Sequence, residues 1–167
     1  MKIALFLHGT AIMHSSGLGH TREERVEQVR QRDPSVKDYA GYIPIENAVA
    51  KVRDWERRGA EIVYLSSHRR PENVAKDAAV LEHFDFPAGP VLFRQSGEGY
   101  AELVLRVMPD VLIEDDCESI GGEAEMIYPH LSGEGQARIG GIVVREFGGI
   151  DDLPDDLRAL RRSTTRS

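Results

Sequence analysis

The sequence contains a single cysteine, Cys117, among its 167 residues. One thiol cannot form an internal disulfide, which favours a reducing compartment. No apolar run is long enough to span a membrane or to form the apolar region of a secretory leader, so we expect a cytoplasmic protein without membrane contact. Positive charge is also scarce, since 21 Lys and Arg residues face 28 Asp and Glu residues and leave a formal net charge of −7. This deficit argues against a nucleic-acid partner.

The chain has the length of one domain, so we expect residues 1–167 to form a single unit. Continuous apolar runs predict strands at residues 3–7, 60–65, 91–93, 110–113 and 142–145. Helical spacing of apolar residues predicts helices at 44–59, 71–82 and 97–108, a weak helix at 123–128 and a short helix at 155–161. The alternation predicts an α/β fold: a doubly wound, Rossmann-like parallel sheet of five strands with helices on both faces. We expect residues 162–167 to form a disordered tail.

Polar residues follow the predicted strands at the points where those strands end. The clusters are His8-Gly9-Thr10 after the first strand, Ser66-Ser67-His68-Arg69-Arg70 after the second, Arg94 after the third and Glu114-Asp115-Asp116 after the fourth. Open α/β sheets bind ligands at the edge where the carboxyl ends of their strands meet. The sequence therefore predicts a ligand site built from these clusters.

Residues 11–43 interrupt this alternating pattern. Thr21 and Glu24 have the spacing of a capping box, which predicts that a helix begins there. Val26 and Val29 are the only apolar residues over positions 23–32, so this helix buries one narrow stripe. The segment is a small insertion over the edge of the sheet, a mobile surface excursion or a contact with a second copy in a homodimer.

The first strand and the residues after it resemble a known motif. In haloacid dehalogenase-like (HAD) phosphohydrolases, an apolar strand runs into Asp-x-Asp-Gly-Thr, and the same frame here reads Phe6-Leu7-His8-Gly9-Thr10. The order of the later clusters also matches this family as far as about residue 122. The resemblance implies a HAD-type sheet, and it implies that residues 11–43 are the small cap insertion that many members carry.

The resemblance also implies roles for the later clusters. Ser66 stands where the family places the hydroxyl that holds the phosphoryl group. Arg94 is the best substitute for the family's basic residue, because no lysine follows Lys76. An acidic pair at this point of the family binds Mg²⁺, and either Glu114-Asp115 or Asp115-Asp116 fits the pattern.

Both aspartates of the first motif are missing. Phe6 replaces the carboxylate that attacks phosphorus in the family, so the covalent aspartyl-phosphate route is closed. His8 replaces the acid–base aspartate and could exchange a proton near neutral pH, or it could fill the space of an inactive site. The loss of one anionic ligand also weakens the expected Mg²⁺ site at residues 114–116.

Three functions remain open at this stage. The first is an impaired, non-catalytic phosphatase-like protein that binds phosphate, a phosphorylated small molecule or a partner. Its ligand-binding residues would be Gly9, Thr10, Ser66, Ser67 and Arg94. The second is a metal-dependent phosphohydrolase that uses His8 and the acidic triplet with a metal-bound water. The third is a structural or assembly module whose former site is filled.

Four further residues have simpler interpretations. We expect Trp55 to lie in the core, and we expect His14 and His20 to be exposed loop residues. The acidic residues next to Cys117 should raise the pKa of its thiol, which argues against a thiolate nucleophile.

Overall fold

The structure is a computed structural model that describes residues 1–165. Its strands are β1 (Lys2–Phe6), β2 (Ile12–Met13), β3 (Ile43–Pro44), β4 (Glu61–Leu65), β5 (Val91–Leu92), β6 (Val111–Asp115) and β7 (Gly140–Val144). Its α-helices are α1 (Arg22–Arg30), α2 (Ala48–Arg57), α3 (Pro71–His83), α4 (Tyr100–Val107), α5 (Gly133–Arg138) and α6 (Leu157–Arg162). Within the described residues, no helix has both the length and the apolar character needed to cross a membrane.

Five strands form one parallel sheet in the order β5-β4-β1-β6-β7. The chain builds outward from β1 through β4 to β5, then returns to the other side of β1 for β6 and β7. This is a doubly wound, Rossmann-like arrangement, and it confirms the predicted fold class. Because the direction of building reverses between β1 and β6, the crevice at their carboxyl ends is where such sheets bind ligands.

Alternating side chains of β1 divide the core into two layers. Ile3 and Leu5 face one layer, which contains Trp55 of α2 and Leu81 of α3. Ala4 and Phe6 face the other, which α4 covers. All of the strand side chains from Ile3 to Phe6 are buried, because helices lie on both faces of a parallel sheet.

The segment at residues 11–43 packs against the carboxyl edge of the sheet. Its ends pair as β2 and β3 in a two-stranded antiparallel sheet, and α1 begins at the predicted capping box of Thr21 and Glu24. The rings of Tyr39 and Tyr42 lie close to His8, at centroid distances of 6.2 and 5.1 Å. The segment therefore covers the end of β1.

Several predicted boundaries were wrong. Residues 43–44 form β3, so the helix predicted from residue 44 begins at Ala48. Residues 122–130 contain two short 3₁₀ turns in place of the weak helix, and α5 was not predicted. Two residues of the predicted disordered tail are ordered. Arg162 ends α6, and Thr165 pairs with Gly141 through backbone hydrogen bonds. Residues 166–167 of that tail lie outside the described residues.

Candidate functional site

The turn after β1 brings Gly9 and Thr10 against the end of β6. The Thr10 hydroxyl donates a 2.9 Å hydrogen bond to Oδ2 of Asp115. Gly9 has a φ of +83°, and a Cβ at this position would lie 2.9 Å from the same oxygen. Only a glycine therefore permits the close approach of this turn to Asp115.

Glu114 does not belong to this site, so its prediction as a metal ligand was wrong. Its two carboxylate oxygens accept hydrogen bonds from the backbone N–H groups of Ile127 and Tyr128, at 2.6 and 2.7 Å. Strand β6 continues to Asp115, and neighbouring side chains of a strand point to opposite faces. Glu114 therefore points into the α4 side of the core, where burial raises its pKa to about 7.

Three other carboxylates form a cluster at the crevice. Asp115, Asp116 and Glu146 each offer an oxygen, and these atoms lie within 4.8 Å of one another. Glu146 follows β7 and accepts hydrogen bonds from the backbone N–H and the hydroxyl of Ser119. Burial raises the pKa of Asp115, and it raises the pKa of Glu146 to about 7. This carboxylate cluster could hold a hard cation, because Mg²⁺ and Ca²⁺ prefer oxygen ligands.

A second cluster lies at the ends of β1 and β4, around His8. Nε2 of His8 lies 2.8 Å from Oδ1 of Asp77, and Nδ1 lies 2.7 Å from the hydroxyl of Ser67. Asp77 is fully buried in α3, and its Oδ2 accepts a 2.6 Å hydrogen bond from the hydroxyl of Ser66. Because a carboxylate oxygen can only accept, Nε2 of His8 is the donor to Asp77, and Nδ1 shares the second hydrogen bond with the hydroxyl of Ser67.

Arg94 lies beside this second cluster. Its Nη2 donates a 3.0 Å hydrogen bond to the carbonyl of Ser67, and its guanidinium carbon lies 3.8 Å from the centre of the Tyr100 ring. The ring of Phe6 meets Tyr100 edge to face at 5.6 Å. Phe6 therefore adds apolar bulk beside Tyr100, and stacking on Tyr100 fixes the positive charge of Arg94 nearby.

Both clusters border one cavity of about 480 Å³ at the carboxyl edge of the sheet. Its aromatic and charged lining residues are Phe6, His8, His14, Tyr39, Tyr42, His68, Arg94, Tyr100, Asp115, Glu125, Glu146 and Phe147. The carboxylates lie in one part of the lining, and His8, Ser67 and Arg94 form another. A small molecule with both an anionic group and an apolar body fits such a lining.

No protein-family model matches the chain, and no curated protein matches it. Chains in solved structures do match. One belongs to the structure of a Pnkp1/Rnl/Hen1 complex, with 11% sequence identity and a TM-score of 0.49. The match covers 87% of this chain and 47% of that one, so this chain spans about half its length. Function must therefore be inferred from the chemistry of the cavity itself.

The predicted ligand-binding residues fall into two groups. Gly9, Ser67 and Arg94 line the cavity. Thr10 and Ser66 are fully buried, and their hydroxyl groups donate to Asp115 and Asp77. The prediction that these two hydroxyl groups contact a ligand is therefore not supported, and we interpret them as residues that orient the two carboxylates.

Three site residues were missed, although each left a signal in the sequence. Glu146 follows the fifth strand, so the rule that placed polar clusters at strand ends also applied to it. Asp77 lies three residues after Val74 and four before Leu81, which is the spacing of the buried face of α3. His68 follows Ser66-Ser67 directly. None of these signals could be distinguished from a surface position without the packing.

Two further expectations have different outcomes. His14 is buried rather than exposed, since its ring packs edge to face on Phe147 at 5.4 Å and its Nε2 bonds the side chain of Gln28. The expected direction for Cys117 is confirmed, because burial and the neighbouring carboxylates raise the pKa of its thiol well above the usual range.

Proposed function

We propose that the cavity binds a phosphorylated small molecule together with a divalent cation, on a HAD-like scaffold that has lost covalent phosphatase chemistry. The observation that carries this proposal is that Asp115 and Glu146 of the carboxylate cluster line the same cavity as Arg94, of about 480 Å³. A cavity of this size also disfavours the third possibility from the sequence, a structural module whose site is filled.

The cation resolves the electrostatic conflict in the cavity. Bare carboxylates at Asp115, Asp116 and Glu146 would repel a phosphate. Their oxygens lie close enough to share one ion, and the donor set consists of hard oxygen atoms. Mg²⁺ fits such a set, and it commonly keeps positions for phosphate oxygens. The cluster therefore supports a cation that bridges the protein and the ligand.

The other part of the cavity supplies groups for the anion. Arg94 has a guanidinium group fixed by Tyr100, and buried Nε of Arg94 has no hydrogen-bond partner among the described residues. A guanidinium donates to phosphate oxygens in a charge-assisted geometry. Ser67 also lines the cavity, and its carbonyl accepts a hydrogen bond from Arg94. We assign the phosphate to the space between Arg94 and the cation.

Phe6 limits what such a site can do to its ligand. Its side chain has no lone pair, and it is buried against Tyr100. An aspartyl-phosphate therefore cannot form at this position. The site therefore binds its ligand without turning it over through an aspartyl-phosphate.

Calorimetric titration tests the proposal. We expect Mg²⁺ and inorganic phosphate to bind more tightly together than either does alone. Asp115→Asn should weaken Mg²⁺ binding by about ten-fold or more, because it removes one anionic ligand. Asp85→Asn is the matched control: Asp85 is exposed after α3, far from the carboxyl edge, and its φ of +58° is one that asparagine tolerates. Equal binding by both variants would contradict the proposal.

A metal-dependent phosphohydrolase is the second candidate. The specific observation in its favour is that His8 lies between the carboxylate of Asp77, at 2.8 Å, and the hydroxyl of Ser67, at 2.7 Å, an arrangement typical of a general acid–base histidine. Release of nitrophenol from an aryl phosphate with Mg²⁺, lost in both His8→Gln and Asp115→Asn, would favour this candidate. Binding without release supports the first.

We also propose a cellular compartment and an oligomeric state. One cysteine is compatible with a reducing compartment, so we propose a cytoplasmic protein. A homodimer through residues 11–43 remains a proposal, and sedimentation velocity would test it.

A further inference from the structure

The cluster around His8 contains a third residue, His68, which the proposed ligand site does not use. Its Nε2 lies 3.8 Å from Oδ1 of Asp77, and the rings of His8 and His68 meet edge to face with their centres 4.7 Å apart. One atom from each of His8, His68 and Asp77 lies within 4.8 Å of the other two. Two imidazole nitrogens and one carboxylate oxygen therefore lie close enough together to share one ion.

The Nε2 atom of His68 is buried and has no hydrogen-bond partner among residues 1–165. Its side chain is only 10% exposed. Burial lowers the pKa of His68. A buried polar atom without a hydrogen-bond partner lowers stability, unless a ligand that is not part of the chain supplies that partner.

In His8 and Asp77, the ring nitrogen and the carboxylate oxygen that do not face each other are already held by hydrogen bonds. Nδ1 of His8 bonds the hydroxyl of Ser67, and Oδ2 of Asp77 bonds the hydroxyl of Ser66. These two bonds leave Nε2 of His8 and Oδ1 of Asp77 directed towards each other and towards His68. Metal ligands in proteins are oriented in the same way, by hydrogen bonds to the atom that does not touch the metal.

We propose that His8, His68 and Asp77 bind a transition-metal ion, with zinc(II) as the natural occupant of this donor set. Imidazole and carboxylate ligands suit Zn²⁺, Co²⁺ and Fe²⁺, whereas Mg²⁺ prefers oxygen alone. The site is therefore chemically distinct from the carboxylate cluster of Asp115, Asp116 and Glu146. This inference does not rest on the proposed function.

The distances fit an ion after small adjustments. Zn–N and Zn–O bonds of about 2.0 to 2.2 Å place ligand atoms roughly 3 to 3.5 Å apart. The observed separations from Oδ1 of Asp77, 2.8 Å to His8 and 3.8 Å to His68, lie on either side of that range. Movements below 1 Å bring all three donors into contact with one ion. The Nε2 proton of His8 then moves to Nδ1, which donates to the Ser67 oxygen.

Three protein ligands leave at least one coordination position free. His8 and His68 both line the cavity, so that position faces it, whereas Asp77 is buried behind them. The centres of the Tyr39 and His68 rings lie 4.2 Å apart. Tyr39 belongs to the 11–43 segment, so this segment covers that side of the cluster. A water or an oxygen atom of a cavity ligand would complete the coordination.

The test uses the full chain without an affinity tag, in excess Mg²⁺ so that the carboxylate cluster is saturated. Titration with Co²⁺ followed by visible absorption should show one bound ion with the bands of a nitrogen-containing site, and calorimetry should give one Zn²⁺. His68→Ala should weaken both affinities by about 100-fold, and the exposed His83→Ala is the matched control. Asp115→Asn should leave Zn²⁺ binding unchanged.

His68→Ala leaves the His8–Asp77 and Ser66–Asp77 hydrogen bonds intact, so we expect it to fold, and its thermal unfolding will check this. Zinc K-edge absorption of the unaltered chain provides a measurement that needs no variant. Two imidazole ligands would support the site. A shell of oxygen alone, no stoichiometric binding, or equal affinities in the His68 and His83 variants would each overturn it.

Discussion

At the scale of single residues, the buried carboxyl groups of Glu114 and Glu146 set how stability depends on pH. Burial raises the pKa of each from 4.5 to about 7, because removal from water disfavours the charged form. Glu114 is compensated by two backbone N–H donors, and Glu146 by Ser119. A carboxyl group whose pKa rises on folding binds its proton more tightly in the folded state. Its stabilising effect is therefore complete below about pH 4.5 and is lost as the pH rises through 7.

We expect the free energy of unfolding to fall between pH 5 and pH 8, by up to about 3 kcal/mol for each of the two groups. Glu146→Gln should reduce this fall by about half, because the amide does not titrate and Ser119 can reorient its hydroxyl group. Urea unfolding at both pH values measures the change. Glu134→Gln, at an exposed position of α5, is the control. An unaltered pH dependence in Glu146→Gln would show that this group does not control it.

At the scale of secondary structure, α1 depends on its first turn more than on its packing. Thr21 accepts a hydrogen bond from the backbone of Glu24, and the carboxylate of Glu24 accepts one from the backbone of Thr21. Only Arg25 and Val26 of this helix are buried. Arg25 fastens the helix to the rest of the molecule by donating to the carbonyl groups of Gly17 and Phe147.

Thr21→Ala should lower the free energy of unfolding by about 1 kcal/mol, because one N–H group of the first turn loses its acceptor. Thr21→Ser keeps the oxygen and should differ little from the unaltered chain. Chemical unfolding of the three proteins measures the difference. If the alanine and serine variants were equally stable, the capping box would not contribute.

At the scale of the whole molecule, Trp55 connects the sheet to the last part of the chain. It is the only tryptophan, it is fully buried in the larger core layer, and its Nε1–H donates a 2.9 Å hydrogen bond to the carbonyl of Pro154. Its fluorescence therefore reports loss of the packing between α2, the sheet and residues 150–160. Its core position confirms the expectation from helical spacing.

Trp55→Phe should lower the free energy of unfolding by about 1 to 3 kcal/mol, through the lost hydrogen bond and the space left in the core. Circular dichroism measures this without the tryptophan signal. Arg57→Ala, at an exposed position of the same helix, should have little effect. The cavity lies elsewhere, so Mg²⁺ and phosphate should bind to Trp55→Phe unchanged, and weaker binding would contradict this separation.

The sequence by itself determined the alternation of strands and helices, and with it the doubly wound sheet. Hydrophobic periodicity and turn residues act locally, so the sequence alone predicts β1, the capped start of α1 and the buried face of α2. The edge that carries the site was also predictable, because polar residues follow apolar strands. Which residues form the site was not predictable from the sequence. Glu114 was assigned to it because β6 was expected to end at residue 113, whereas the strand continues and turns Glu114 and Asp115 to opposite faces.

Only the tertiary structure decided which distant side chains meet. Asp77 of α3 lies 2.8 Å from His8 after β1, and Glu146 reaches Asp115 because β7 pairs with β6 in register. Neither contact leaves a local pattern, since residues 69 and 31 positions apart are brought together by packing alone. The physical reason is that local sequence fixes backbone conformation, whereas the composition of a site at a sheet edge depends on strand order, register and the rotation of each helix about its axis.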